Sequence, residues 1–400
     1  MARSLYICYF GVREPLVQTQ VIPYLRQLAK GGHDVALLTF EPEPLDAAGV
    51  NAGRDACAPG IDWHHLAYHK SPSLPATIFD VLNGARYIAR LARRRPIEIL
   101  HARAHIPLLM ARIARRFTGS KIIFDVRGLV ADEYVDAGVW KADSTVYRAI
   151  KKLEAVGLRD SDGVVVLTER LRQYVQDEGL RNGKPIEVIP CCVDFSRAGL
   201  GSPEKKSERF ELIYAGSVVG LYMLEEMGRF FCALKKCRPD AIFRILTTSP
   251  KTNVETAFDK LGIAPNDYVV EKAKPAEVVK ILERADAAIS FRKPTFSQIG
   301  ASPTKIAEYL AAGLPVVMSY GVGDMDSVIN ESKTGVIVSD FNEEIYNSAA
   351  RELIDLAASE DTAARCREVA RSQFDLESVG GARYQAIYQK VLKNNERPTD

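Results

Sequence analysis

The sequence predicts an α/β protein with two parallel sheets, each covered by helices. Three observations carry this: short apolar runs alternate with amphipathic helical stretches along nearly the whole chain; 400 residues are too many for one ordinary domain; and one polar stretch divides the strand series in two. In the first series, strands are expected at 5–10, 35–40, 97–101, 121–126, 163–167 and 186–189. A helix over 16–29 has Val17, Val21, Tyr24, Leu25 and Leu28 on one face and is closed by Gly31-Gly32. Residues 195–209 (FSRAGLGSPEKKSER) lack large apolar side chains and read as a linker. The second series has strands at 210–214, 242–246, 268–270, 287–291, 315–319 and 335–338. Beyond Asp340 the pattern is helical. It ends in a helix with Tyr384, Ile387, Tyr388 and Val391 on one apolar face, followed by a polar tail, NNERPTD.

Composition narrows the function classes. Hydrophobic residues are 47% and charged residues 26%, as in a globular enzyme. Lysine plus arginine (53) nearly equals aspartate plus glutamate (51), which speaks against a partner bound by neutralising nucleic-acid phosphates. The seven cysteines include no C-x-x-C pair and lie mostly in apolar runs, so they read as buried side chains in a reducing compartment. No signal segment and no long apolar span is found, and a cytoplasmic location is expected. One basic stretch, residues 85–96 (ARYIARLARRRP), has the composition of a helix lying on an anionic membrane, though a solvated face is the simpler account.

The most informative segment is 302–317 (SPTKIAEYLAAGLPVV). Ser302 is expected as N-cap, Pro303 as the first helical residue and Gly313 as the C-terminal cap before a strand. Amides at such a helix start attract anions, and Lys305 places a cation there. Glu308 lies on the same side, where a carboxylate can accept from two ribose hydroxyls; an ordinary Lys305–Glu308 surface pair fits the spacing equally well. Strand 210–214 runs into Ala215-Gly216-Ser217, a glycine turn that lets amides approach a phosphate. Arg292 and Lys293, at a strand end, are further cations for a diphosphate.

In the first half, Gly11 stands in the loop after the first strand. His101-Ala-Arg103-Ala-His105 follows a buried strand, and without a nearby carboxylate its two histidines are weak grounds for a metal. Asp125, Arg127, Asp132 and Glu133 gather three acids and an arginine within nine residues. Such density at a strand's carboxyl end suits contacts to hydroxyls and phosphate. Cys191-Cys192 sits in a turn between the two halves.

The 302–317 segment resembles the nucleotide-binding stretch of the retaining GT-B glycosyltransferases of the "glycosyl transferases group 1" type, and the resemblance runs from residue 5 to about 392. That family has an acid, a second acid and a small-residue run ending in G-x-P-V. Glu308 matches the second acid, which holds the ribose, and Ala311, Gly313, Pro315 and Val316 match the small-residue run after it. Gly300 occupies the place of the first acid; the resemblance implies a subtype with a Ser-x-Pro-Thr-Lys form, which this chain carries without the intervening residue, as Ser302-Pro303-Thr304-Lys305. Arg127 stands where many members have a histidine.

The resemblance implies two Rossmann-like domains facing across a cleft: an acceptor domain (1–194), the linker, a nucleotide-sugar domain (210–375), and a last helix (376–400) packing back on the first. Residue chemistry and resemblance together give Gly216, Ser217, Arg292, Ser302, Thr304, Lys305 and Glu308 as expected donor contacts, Arg127, Asp125 and Lys305 as expected catalytic residues, and Gly11, Arg103 and Glu133 as the expected acceptor side. The implied activity is sugar transfer from a nucleotide-sugar to a glycan or lipid-linked hydroxyl, with retention and no required metal or cofactor, in polysaccharide or glycoconjugate synthesis; lipid-linked acceptors in many relatives leave peripheral membrane contact through residues 85–96 as an option beside the solvated face. A nucleotide-sugar epimerase and a silent sugar- or nucleotide-binding module are the alternatives.

Overall fold

The computed structural model describes residues 2–181, 183–196 and 208–393, so most of the expected linker and the polar tail lie outside the described residues. The chain divides into two compact units: Met1–Asp132, Trp140–Pro190 and Leu376–Asp400 form the first, Glu133–Val139 and Cys191–Asp375 the second. Each is a Rossmann-like α/β domain around one parallel sheet.

The first unit contains β1 (Arg3–Ile7), β2 (Asp34–Glu41), β3 (Ile61–Ala67), β4 (Ile99–Arg103), β5 (Lys121–Asp125), β6 (Gly163–Val166) and β7 (Ile186–Val188), in the spatial order β3-β2-β1-β4-β5-β6-β7. The second contains β8 (Glu211–Ala215), β9 (Ile242–Leu246), β10 (Tyr268–Glu271), β11 (Ala287–Ser290), β12 (Val316–Ser319) and β13 (Gly335–Val338), in the order β10-β9-β8-β11-β12-β13. Both sheets start in the middle and reverse direction beside the first strand, so a switch point lies at its carboxyl end. The central strands are buried on both faces, hence apolar runs such as GVVV in β6 and VVMS in β12; β4 (ILHAR) is also fully buried but carries His101 and Arg103. Alternate residues of β8 feed different cores. Leu212 packs with Phe231, Phe243 and Val336, whereas its neighbour Ile213 packs with Ala288, Ile306 and Val316.

Two elements depart from the sequence reading. The helix expected over 16–29 is two helices, Pro15–Gln20 and Ile22–Lys30, broken at Val21. Pro23 follows closely, and its ring and missing N–H are incompatible with a continuous helix across this point. Strand β3 was not foreseen. It is an edge strand paired only with β2, and its sequence, IDWHHLA, is polar because several of its side chains reach the surface.

The last helix, Ala382–Lys393, packs in the first unit as expected and buries Tyr384, Ile387, Tyr388 and Val391. Gly163 makes room for it, since a Cβ there would fall 2.6 Å from Val391 Cγ2. Lys121 Nζ donates to the Val391 carbonyl at 2.5 Å. None of the described helices is long and apolar enough to cross a membrane.

Candidate functional site

In the second unit the carboxyl end of β8 and the start of helix Thr304–Ala312 come together. Gly216 has φ +136°, and a Cβ on it would lie 2.6 Å from Lys305 Nζ, so any side chain would displace the lysine. The expected cap shifts by one residue: Pro303 is the N-cap, and Ser302 makes no cap bond. Its Oγ instead accepts from the Cys191 amide at 3.0 Å, and both cysteines of that turn are free and buried. Gly313 caps the other end at φ 86°, as expected. Thr304 is half-buried at the helix start, and Ser217 is exposed in the glycine turn.

Lys305 and Glu308 do not pair. Lys305 Nζ donates to Tyr214 Oη at 2.9 Å and lies 4.2 Å and 3.9 Å from the ring centroids of Tyr214 and Tyr222. Tyr214 in turn donates to the Ser217 carbonyl. An isolated antiparallel bridge joins Tyr222 to Arg292, and the Arg292 guanidinium carbon sits 5.2 Å from the same Tyr222 ring. Ser319 fixes the Arg292 backbone, accepting from its amide at 2.8 Å and donating to its carbonyl at 2.9 Å. Two basic side chains thus share one aromatic ring, and neither has a carboxylate within ion-pair distance among the described residues. Arg292 Nε is buried and lacks a hydrogen-bond acceptor.

The electrostatics follow from that arrangement. Burial holds Lys305 well below the ordinary lysine range, and Arg292 adds repulsion in the same direction. Burial pushes the Glu308 carboxyl up to about 7, with Lys305 acting weakly against it. Glu308 makes no hydrogen bond or ion pair with the described residues. The arrangement can hold an anion on the cations and receive hydroxyl donors on the carboxylate.

The first-unit residues fall into a different pattern. Asp125 is fully enclosed. Tyr6 and Tyr384 donate to its Oδ2 at 2.9 and 3.0 Å, Arg127 Nη1 stands 3.5 Å from Oδ1, and His101 Nε2 and Arg103 Nη1 stand 3.7 and 3.8 Å from Oδ2. Desolvation opposes its charge, but Arg127 and the other donors outweigh it and hold the carboxyl well below the usual range. Asp125 has no solvent access in the structure, so any influence it has on a substrate would run through its neighbours. Arg103 is likewise buried and donates to Tyr6 Oη at 3.4 Å, so it too belongs to this buried hub. Arg127 keeps a partly exposed end.

Gly11 packs against a buried carboxylate, Glu41, whose Oε1 accepts from the Val12 amide at 2.9 Å. Glu133 falls in the segment grouped with the second unit, where the Ser297 amide donates to Asp136 at 3.3 Å. His105 stands beside Glu154, its Nε2 3.4 Å from Oε2, and no cluster of metal-binding side chains occurs among the described residues.

Sequence reasoning missed a group at the carboxyl ends of β1 and β3. Buried Asp80 accepts from Tyr9 Oη at 2.7 Å, and His69 Nδ1 lies 2.6 Å from its other oxygen. Nε2 of this partly exposed His69 makes no hydrogen bond with the described residues. Tyr9 is 71 residues from Asp80 in sequence, and no local motif links the three.

Two Rossmann-like domains, with Lys305, Arg292 and the Gly216 turn gathered at the carboxyl edge of the second sheet, define a two-domain α/β architecture. Comparison supplies the family. Residues 17–197 match Glycosyltransferase Family 4 and residues 201–373 match Glycosyl transferases group 1. The chain belongs to the glycosyltransferases built from this pair of domains. No curated protein sequence matches it significantly.

Among solved structures it is similar to a glycosyltransferase from Rickettsia africae ESF-5 (TM-score 0.71, 17% identity, 98% of this chain and 99% of that one). It is also similar to sucrose-phosphate synthase from Thermosynechococcus elongatus (0.71, 12%, 98% and 100%). A third is Anabaena HepE in complex with UDP-glucose (0.67, 12%, 97% and 100%). These likenesses establish the GT-B fold.

Proposed function

We propose that the protein transfers a sugar, with retained anomeric configuration, from a nucleoside-diphosphate sugar to a hydroxyl of a glycan or lipid-linked acceptor, in the synthesis of a cell-surface polysaccharide or glycoconjugate. The observation that supports this best is the unpartnered set of Glu308, Lys305 and Arg292: a carboxylate without donors beside two cations without acids. A nucleoside diphosphate supplies both missing partners. Its ribose hydroxyls donate to Glu308, and its phosphates take Lys305, Arg292 and the amides of the Gly216 turn and of the helix starting at Thr304.

In the transfer, the bond from the anomeric carbon to the diphosphate oxygen breaks. A bond to the acceptor oxygen forms on the same face, and the acceptor proton passes to the departing diphosphate. Lys305 and Arg292 stabilise the charge that grows on that leaving group, and binding restores the proton that burial disfavours on Lys305. No metal is required in this reading. Arg127, with its partly exposed end held by Asp125, is assigned to the acceptor side; Gly11 shapes the neighbouring loop. UDP-sugars are the first donors to test, because HepE binds UDP-glucose.

Lys305→Ala tests the assignment. At saturating donor its transfer rate should fall by at least about tenfold, and an unchanged rate would remove the phosphate role. An acceptor carried on lipid would also require the protein to reach a membrane surface.

A further inference from the structure

Helix Ser73–Arg94 carries an unusual outer face. Its 22 residues bury Ala76, Asp80, Val81, Gly84, Ala85 and Ile88 on one side. On the other side Leu74, Ile78, Phe79 and Leu82 are 65%, 51%, 55% and 57% exposed. Their spacing of four, five and eight residues from Leu74 places them on one stripe. Arg86, Arg90 and Arg93 continue the outer side toward the carboxyl end, with Arg94 beside them, and all four are exposed. These arginines make no ion pair or hydrogen bond with the described residues. The helix's one acid, Asp80, is turned inward and held by Tyr9 and His69.

Single exposed apolar side chains are ordinary, whereas four on one helix face leave a contiguous patch in water. Here the patch adjoins an uncompensated run of positive charge. We propose that this face docks on an anionic membrane surface, with Leu74, Ile78, Phe79 and Leu82 entering the boundary between headgroups and acyl chains while the four arginines engage lipid phosphates and carboxylates.

The charge selects the occupant. An apolar protein partner leaves the arginines unpaired, while an anionic leaflet offers each basic side chain near it a counter-charge and an apolar layer beneath. Arginine stems reach along such a boundary and keep their guanidinium groups at the headgroups. The basic stretch alone would give a contact that salt screens; the apolar half makes it an insertion. The docking face does not depend on the sugar-transfer reading.

Flotation of the full chain with phosphatidylcholine vesicles, with and without phosphatidylglycerol, tests this directly. Two variants accompany it: Leu74→Gln, Ile78→Gln, Phe79→Gln, Leu82→Gln together, and Arg86→Gln, Arg90→Gln, Arg93→Gln, Arg94→Gln together. All changed positions are exposed, and a thermal melt matching the unchanged protein shows that each variant is folded. The protein should float with the phosphatidylglycerol vesicles and stay behind with phosphatidylcholine alone. Each variant should bind at least about tenfold more weakly, with the arginine effect shrinking in high salt and the apolar effect persisting. Failure of the unchanged protein to float, or flotation of both variants at its level, overturns the proposal. So does a wild-type dimer that the apolar variant converts to monomer without any vesicle binding, since a second copy would then cover the face.

Discussion

Glu308 has no hydrogen-bond donor of its own, and burial raises its carboxyl to about 7. In the unfolded chain the same group titrates near about 4.3. The folded state therefore holds the proton more tightly: its charging cost is absent below the unfolded value, grows as pH rises between the two, and is fully present above about 7. Glu308→Gln removes the charge and keeps the shape. At pH near 8 it should stabilise the protein by about 2 kcal/mol, discounted for the solvent that reaches the group, and near pH 4.5 it should make little difference. Thermal melts at the two pH values check this, and an equal difference at both would refute the burial argument. The same variant should weaken nucleoside-diphosphate binding at least about tenfold. Lys305 and Glu308 were legible in the sequence because the helix start and its glycine cap are local signals. The tyrosine cage was not, since it depends on a bridge between Tyr222 and Arg292. Ser302 was misread as a cap because its real partner, the Cys191 amide, is 111 residues away.

At the scale of elements, the last helix is tied to β5 through Asp125, where Tyr384 meets Tyr6, Arg103 and Arg127. Tyr384→Phe removes one donor from a carboxylate that keeps others, a loss of about 1 kcal/mol. Asp125→Asn leaves two buried or half-buried guanidinium groups without their counter-charge and should cost about 3 kcal/mol or more. Urea unfolding measures both, and the ranking would be contradicted by an Asp125→Asn midpoint at or above that of Tyr384→Phe. Most strands were readable within a residue or two because buried parallel strands are continuous apolar runs. β3 escaped notice because its polar side chains reach the surface. The break at Val21 lay hidden in an apolar pattern that continues through it, with Pro23 as its sign.

For the whole molecule, two parallel sheets covered by helices were legible from the alternation of strands and helices alone, whereas their strand order was not. The proposed donor end could be put together from the sequence because one contiguous segment supplies most of its candidate residues. The group of Tyr9, His69 and Asp80 could not, because it joins the segments after two strands to a helix. Asp125 illustrates the same difficulty, since density of charge in sequence does not distinguish a buried hub from a substrate contact. The central claim is that the protein cleaves a nucleotide-sugar and passes the sugar on, and product analysis across UDP-, GDP- and ADP-sugars measures it most directly. The prediction is that one donor yields free nucleoside diphosphate and a transferred sugar of unchanged anomeric configuration, and that Lys305→Ala suppresses the yield. Recovery of every nucleotide-sugar intact, or conversion of one to its epimer with the nucleotide still attached, would contradict the claim.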